Sequence, residues 1–163
     1  MTQSAPRLIL GEFSRILDER YRLSLPPELV DSLFPAEEEI GMLAKERAGC
    51  LSLWRRDVWQ ERIATGIELI RQKLAAHRLD AQIGRLQSFG RLLSTRFKEV
   101  RIGDRGRFVI PEGFREFLQV EPGNEVLVIG AAVCIELWHP EAWRRYLCRR
   151  MPRFQRLFEE LST

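Results

Sequence analysis

A segment of this chain occurs twice, and the duplication limits the folds open to it. Cys50-Leu-Ser-Leu-Trp54-Arg-Arg-Asp-Val-Trp59 aligns with Cys134-Ile-Glu-Leu-Trp138-His-Pro-Glu-Ala-Trp143 at an offset of 84 residues. Upstream, Leu17-Asp-Glu-Arg-Tyr-Arg22-Leu-Ser-Leu-Pro26 aligns with Ile102-Gly-Asp-Arg-Gly-Arg107-Phe-Val-Ile-Pro111 at an offset of 85. One residue of slip in a loop reconciles the two. The organisation read from this is a first unit over 12–58, a connector over 59–96, a second unit over 97–143 and a basic helical tail over 144–163. Each unit reads β-α-β-β. A short strand enters a tight turn at Glu19-Arg20-Tyr21 or Asp104-Arg105-Gly106, and an alternating strand leaves it. Proline then stops that strand and opens a short helix, Pro27–Leu33 or Pro111–Leu118. Glu121-Pro-Gly-Asn124 is a turn signal. Glu125–Ile129 and Cys134–Trp138 flank Gly130-Ala-Ala as a hairpin. His139-Pro-Glu-Ala-Trp143 starts a helix.

In the connector, Trp59, Ile63, Ile67, Ile70 and Leu74 recur at steps of three and four. Ile83, Leu86, Phe89, Leu93 and Phe97 do the same after a break near Leu79–Asp80. Two antiparallel helices follow, with both stripes read as ordinary core packing. The tail carries Arg144, Arg145, Arg149, Arg150, Arg153 and Arg156 around Pro152, a pattern expected of a solvated helix face.

With 163 residues, 45 % hydrophobic and 30 % charged, the chain is long and apolar enough to bury a core. No apolar run approaches the roughly 20 residues that cross a bilayer. Leu8-Ile9-Leu10 is too short for a secretory h-region, so a soluble, cytoplasmic protein with no membrane partner is expected. Cys50, Cys134 and Cys148 form no C-x-x-C pair, and His77 and His139 lie far apart. Neither a disulfide framework nor a metal site is implied, and no cofactor is expected. Cys50 and Cys134 sit at equivalent points of apolar strands, as small buried hydrophobes do. Nothing couples a nucleophile to a base, and no glycine-rich loop would cradle a phosphate. An enzyme with a small-molecule substrate is therefore not expected.

The net charge is only +3, but 23 of the 26 basic residues are arginine. A GC-rich genome explains that bias as readily as a ligand does. Placement says more. The first turn has Arg15, Arg20 and Arg22 around Asp18, and the second has Arg101, Arg105 and Arg107 around Asp104. Pairing the units about a pseudo-twofold axis would set both basic turns on one face, suited to phosphates and base edges in a DNA groove. The plainer reading has Asp18 bonding local backbone amides and the arginines pairing with nearby carboxylates.

These residues resemble a known family. Gly11-Glu-Phe-Ser-Arg-Ile-Leu-Asp18-Glu-Arg-Tyr-Arg22-Leu-Ser-Leu-Pro26 is similar to the opening of the MraZ proteins, bacterial transcription regulators of the SpoVT/AbrB swapped-hairpin class. The second unit carries Arg105-Gly-Arg107-Phe-Val-Ile-Pro-Glu-Gly-Phe-Arg115, then Val126-Leu-Val-Ile-Gly130, then Ile135-Glu-Leu-Trp138. The resemblance covers about residues 11–146. The family motif is Asp-x-x-x-Arg in each repeat, usually with glycine before the arginine. Here Tyr21 stands at that glycine in the first unit, and Gly103 stands at the aspartate in the second. If the backbone at Tyr21 needs φ > 0, the side chain costs roughly 1–2 kcal/mol.

The resemblance implies an α+β fold. Two βαββ swapped-hairpin AbrB-like repeats would form an intramolecular pseudo-dimer, interlocked so that strand edges are closed. It implies a homo-oligomer, assembled side by side into a closed ring, and nucleoid-associated double-stranded DNA as the partner. The DNA would be short repeated sites upstream of a division and cell-wall gene cluster, usually repressed. Arg15, Arg20, Arg22, Arg101, Arg105 and Arg107 would contact the DNA, with Asp18, Asp104 and Gly106 organising the turns. The alternative is a ring-forming structural or protein-binding scaffold without sequence-specific DNA binding. A steep fall in DNA affinity with added salt separates the two.

Overall fold

The computed structural model describes residues 7–34 and 39–163. Eight strands and six α-helices follow in the order β1 (Ile9–Ile16), β2 (Arg22–Ser24), α1 (Pro27–Leu33), β3 (Ile40–Arg47), β4 (Cys50–Arg55), α2 (Arg56–Ala75), α3 (Ile83–Arg96), β5 (Phe97–Arg101), β6 (Arg107–Val109), α4 (Phe114–Leu118), β7 (Glu125–Ala132), β8 (Ile135–Trp138), α5 (Pro140–Arg150) and α6 (Phe154–Ser162). It is a mixed α+β fold with antiparallel sheets.

Six strands form one sheet in the order β1-β7-β8-β4-β3-β5, and β2 pairs with β6 as a separate ribbon. The sheet order reads the same from both ends once the halves are exchanged. Strand β1 pairs antiparallel along its length with β7, from Ile9 opposite Ala132 to Ile16 opposite Glu125. Correspondingly, β5 pairs with β3, from Phe97 opposite Ala44 to Arg101 opposite Ile40. Each half thus lends its first strand to the other half.

The two faces of the sheet are covered differently. In β4, Leu51 and Leu53 point into the main core, which also holds Leu17, Leu23, Leu25, Phe108, Ile110, Val126, Val128, Ile135 and Leu137. Alternation places Cys50 and Trp54 on the opposite face. There two smaller clusters repeat one design. Trp54 packs with Trp59, Met42, Ala44 and Cys134, and Trp138 packs with Cys50, Ile129 and Ala142. The ring centroids of Trp54 and Trp59 lie 5.9 Å apart, and those of Trp138 and Trp143 lie 5.1 Å apart. Trp54 Nε1 donates to Ser52 Oγ at 2.8 Å, and Trp138 Nε1 donates to Glu136 Oε1 at 3.0 Å. The acceptor sits two residues before the Trp in both halves, so the Trp54 and Trp138 indoles have their polar handles satisfied, whereas the buried Trp59 Nε1 has no partner among the described residues.

Three local expectations change. Helix α4 begins at Phe114 rather than Pro111, because Gly113 adopts φ 88° and breaks the helical run. Strand β7 continues through Gly130 to Ala132. Gly130 lies opposite Gly11, where an added Cβ would fall 2.7 Å from the Ile9 carbonyl, so only glycine admits that approach. The connector stripes are not core. Only Trp59 is buried in α2, and no residue is buried in α3.

Trp54→Ala and Trp138→Ala should each cost about 3–5 kcal/mol, because each opens a cavity in a buried cluster. Urea unfolding measures this, and a loss below about 1 kcal/mol in both would contradict the packing described.

Candidate nucleic-acid interface

The ribbon has the register Arg22 opposite Val109, Leu23 opposite Phe108 and Ser24 opposite Arg107. Leu23 and Phe108 are buried and fix the inner face. With a period of two, Arg22, Ser24, Arg107 and Val109 share the outer face. One arginine comes from each half, on adjacent strands. Beside them lies an open concavity of about 440 Å³ lined by Arg22, Arg101, Asp104, Arg105 and Arg107. Four of the six arginines singled out in the sequence therefore meet there.

Arg15 and Arg20 do not line it. Arg15 lies on β1 opposite Val126 and donates to the Ser14 carbonyl at 2.9 Å. Arg20 is exposed at the tip of the first turn. Arg101 pairs with Glu39 at 3.2 Å in an exposed contact. Such contacts are worth little in water, so the guanidinium stays exchangeable.

The two turns share two backbone hydrogen bonds and differ otherwise: Arg105 takes φ 64° in the second, whereas its counterpart Arg20 is not left-handed. In the first, the Asp18 amide donates to the Arg22 carbonyl at 3.1 Å, and the Tyr21 amide donates to the Asp18 carbonyl at 3.0 Å. In the second, Gly103 and Gly106 make the same two bonds at 2.8 and 3.2 Å. Only the first has a carboxylate brace. Asp18 Oδ1 accepts from the Arg20 and Arg22 amides at 2.8 and 2.9 Å, and Oδ2 accepts from Arg22 Nε at 2.8 Å. The Arg22 backbone amide, followed by the bonds from its side chain and from the Arg20 amide, holds the Asp18 carboxyl below its ordinary value. Asp104 makes no side-chain hydrogen bond among the described residues, and backbone bonds alone hold the second turn.

Tyr21 has φ 60° and Gly106 has φ 70°, so the same left-handed backbone occurs at both positions. Each is capped by the other half. At Gly106 an added Cβ would fall 2.9 Å from Val30 Cγ2 and 3.1 Å from the Leu25 carbonyl oxygen. At Tyr21 the Arg115 guanidinium stacks 4.0 Å from the ring centroid. Arg115 Nε also donates to the Ile110 carbonyl at 2.6 Å. Sequence reasoning missed Arg115, Ser24 and Val109. The alternation of the ribbon strands carried the signal for Ser24 and Val109. The 85-residue offset matches Arg115 to Val30, but the stacking itself is not in the pattern.

Cys50 and Cys134 are buried, and burial pushes both thiols up, that of Cys134 to about 12. Among the described residues no three His, Cys, Asp or Glu side chains cluster as metal ligands. No described helix is long and apolar enough to cross a membrane. His139 serves the start of α5, its Nδ1 accepting from the Glu141 amide at 3.0 Å.

The arrangement defines an antiparallel α+β protein with an arginine-lined ribbon surface. A family model described as "MraZ protein, putative antitoxin-like" matches residues 96–161. The chain is 27 % identical to the transcriptional regulator MraZ of Heliobacterium modesticaldum, over 94 % of this chain and 96 % of that one. It is 27 % identical to the protein of the same name from Syntrophomonas wolfei, again over 94 % and 96 %. The counterpart from Alkaliphilus metalliredigens is 29 % identical over 85 % and 86 %. The chain is thus similar to MraZ proteins, and these curated relatives are named as transcriptional regulators.

Two measurements test the turns. Replacing Tyr21 by Gly or by Ala removes the same ring, but only Ala keeps a Cβ in the left-handed region. The Gly variant should be the more stable by about 1 kcal/mol in urea unfolding. For Asp18, the lowered folded pKa means that its contribution is present above the ordinary carboxylate range. It is lost as pH falls through that range to the folded value. The stability gap between wild type and Asp18→Asn should therefore be open near neutral pH and shrink as pH falls through and below the ordinary carboxylate range. A gap that widens toward acid would contradict the hydrogen bonding described.

Proposed function

We propose that the protein is a DNA-binding transcription regulator that grips double-stranded DNA through the outer face of the β2–β6 ribbon and the two turns beside it. The convergence of Arg22, Arg101, Arg105 and Arg107, from both halves, on one concavity carries this reading. Guanidinium groups present a planar fork that matches phosphate oxygens and guanine edges. A two-stranded ribbon is also narrow enough for the major groove. Arg22, braced by Asp18, and Arg107 are the central contacts. Arg20 and Arg105 reach phosphates or base edges from the turn tips. Arg15 and Arg101 contact the backbone, and Gly106 shapes the second turn.

In this reading the units at 12–58 and 97–143 are two swapped-hairpin repeats forming a pseudo-dimer, joined by the connector at 59–96 and followed by the tail at 144–163. The reciprocal strand pairing supports that assignment. Copies assemble into a ring that arrays many ribbons, so contacts that are weak singly act together on short repeated sites. Those sites lie upstream of a division and cell-wall gene cluster, and the effect is repression, in the cytoplasm at the nucleoid. The names of the relatives support regulation of transcription.

The test is a titration of Arg22→Ala plus Arg107→Ala on a DNA fragment from upstream of the protein's own gene. Affinity should fall, and the slope of log affinity against log salt should drop by about one unit for each phosphate that the variant no longer neutralises. Undiminished affinity in a folded variant would overturn the assignment and direct the search to the arginines at 144–156. No binding by the wild type even at low salt would favour a scaffold.

A further inference from the structure

The tail arginines, expected as a solvated helix face, do not all stand apart. Arg144 pairs with Glu141 at 2.7 Å, and Arg156 pairs with Glu160 at 3.1 Å. Arg149 and Arg150, in the last turn of α5, and Arg153, in the turn before α6, instead join Arg47 of β3 around an open concavity of about 320 Å³. None of these four has a carboxylate partner among the described residues.

Arg47 reaches that side through a bulge. With a period of two, Lys45 and Arg47 would share one face of β3. The register shifts between them, so that Lys45 lies opposite Leu51 and Arg47 opposite Cys50. Lys45 then rests over the Phe114 ring at 4.9 Å, on the face of the main core. Arg47 rests over Trp138 and Tyr146 at 5.5 and 5.2 Å, on the face that α5 covers. A bulge re-aims a side chain in this way. The cluster also belongs to one half only. At the 84-residue offset Arg47, Arg149, Arg150 and Arg153 match Ala131, Thr65, Gly66 and Leu69, none of them charged. Carboxylates of the adjoining segments have other partners. Glu46 accepts from Ser52 Oγ at 2.6 Å and from Arg96 at 3.4 Å, and Glu136 accepts from Trp138 Nε1 at 3.0 Å.

We propose that the concavity framed by Arg47, Arg149, Arg150 and Arg153 binds linked phosphates, as carried by inorganic triphosphate or by the triphosphate chain of a nucleotide. Charge sets the class. The C-terminal end of α5 offsets only about half of one of the four positive charges. A single phosphate monoester carries about −1.5 to −2 at neutral pH, too little to balance the rest. Two or three linked phosphates bring enough, and their oxygens suit the planar donor forks of arginine. Duplex DNA fits less well, because its phosphates are separated by sugars along a convex surface and meet such a pocket one at a time. The site shares no residue with the ribbon concavity and does not rest on the reading of that surface.

Calorimetric titration of the full chain with inorganic triphosphate, ATP and orthophosphate, in magnesium-free buffer of low salt, tests this. Triphosphate should bind at least about 10-fold more tightly than orthophosphate. Arg47→Gln plus Arg150→Gln should lose about 100-fold in triphosphate affinity, and so should Arg149→Gln plus Arg153→Gln, which alters exposed positions alone. Arg144→Gln plus Arg145→Gln removes equal charge from the same helix outside the concavity and should lose no more than about threefold. Arg22→Ala plus Arg107→Ala should bind triphosphate as the wild type does. Circular dichroism and a melting curve confirm that each variant is folded. Triphosphate binding more tightly than ATP points to the inorganic chain, ATP binding more tightly points to a nucleotide, and either upholds the site. Orthophosphate binding as tightly as triphosphate, equal losses in the variants inside and outside the concavity, or loss in the ribbon variant overturns it. A wild type that binds neither triphosphate nor ATP overturns it too. If Arg149→Gln plus Arg153→Gln then weakens DNA binding, the cluster is a contact to the DNA backbone instead.

Discussion

Two backbone carbonyls tie the halves of this molecule together at the ribbon. The Tyr21 carbonyl accepts from the Ile110 amide at 2.8 Å, and the Gly106 carbonyl accepts from the Leu25 amide at 3.0 Å. Each turn thus gives its acceptor to the strand that the other half has just completed. The same reciprocity appears in the sheet, where β1 joins β7 and β5 joins β3. A half on its own would leave the partners of its first strand and its turn unpaired, and unpaired buried amides are costly. The stability of either half is therefore conditional on the other. The pairings also span long stretches of chain, as when Ser14 Oγ donates to Glu125 Oε2, the kind of non-local contact that slows folding.

The repeat was legible in the sequence because strands with both faces covered must be apolar on both, and Trp, Cys and Leu mark their positions. The Cys50–Trp54 and Cys134–Trp138 segments are of that kind, and each Trp brings its own acceptor two residues earlier. The clustering of arginines at the turns was legible too. Which of them share one concavity was not, because that follows from the ribbon register, which couples residues 22 and 109. The connector shows the other limit. A period of three and four tells which residues share a helix face, but not whether the chain supplies something to cover it. Ile67, Ile70 and Phe89 line an open groove for that reason.

The capping of the turns depends on shape complementarity between the halves. Val30 of α1 closes over Gly106, where there is no room for even a methyl group. Arg115 of α4 lies over Tyr21, whose ring offers its face to a cation. Both turns hold the same left-handed residue, one with glycine and one with an aromatic ring buttressed from above. The backbone position is the fixed quantity, and the side chains around it are adjusted to it.

A covalent duplicate escapes a rule that binds true homodimers. When two identical chains form a symmetric pair, a single codon change alters both subunits at once, and both must tolerate it. Here the two turns are encoded separately, so each can differ with only its own cap to satisfy. Tyr21 with Arg115 and Gly106 with Val30 are two unlike solutions of one steric problem inside a single molecule. The ribbon between them is left with an inherent direction, since its Asp18-braced end and its backbone-held end are chemically distinguishable.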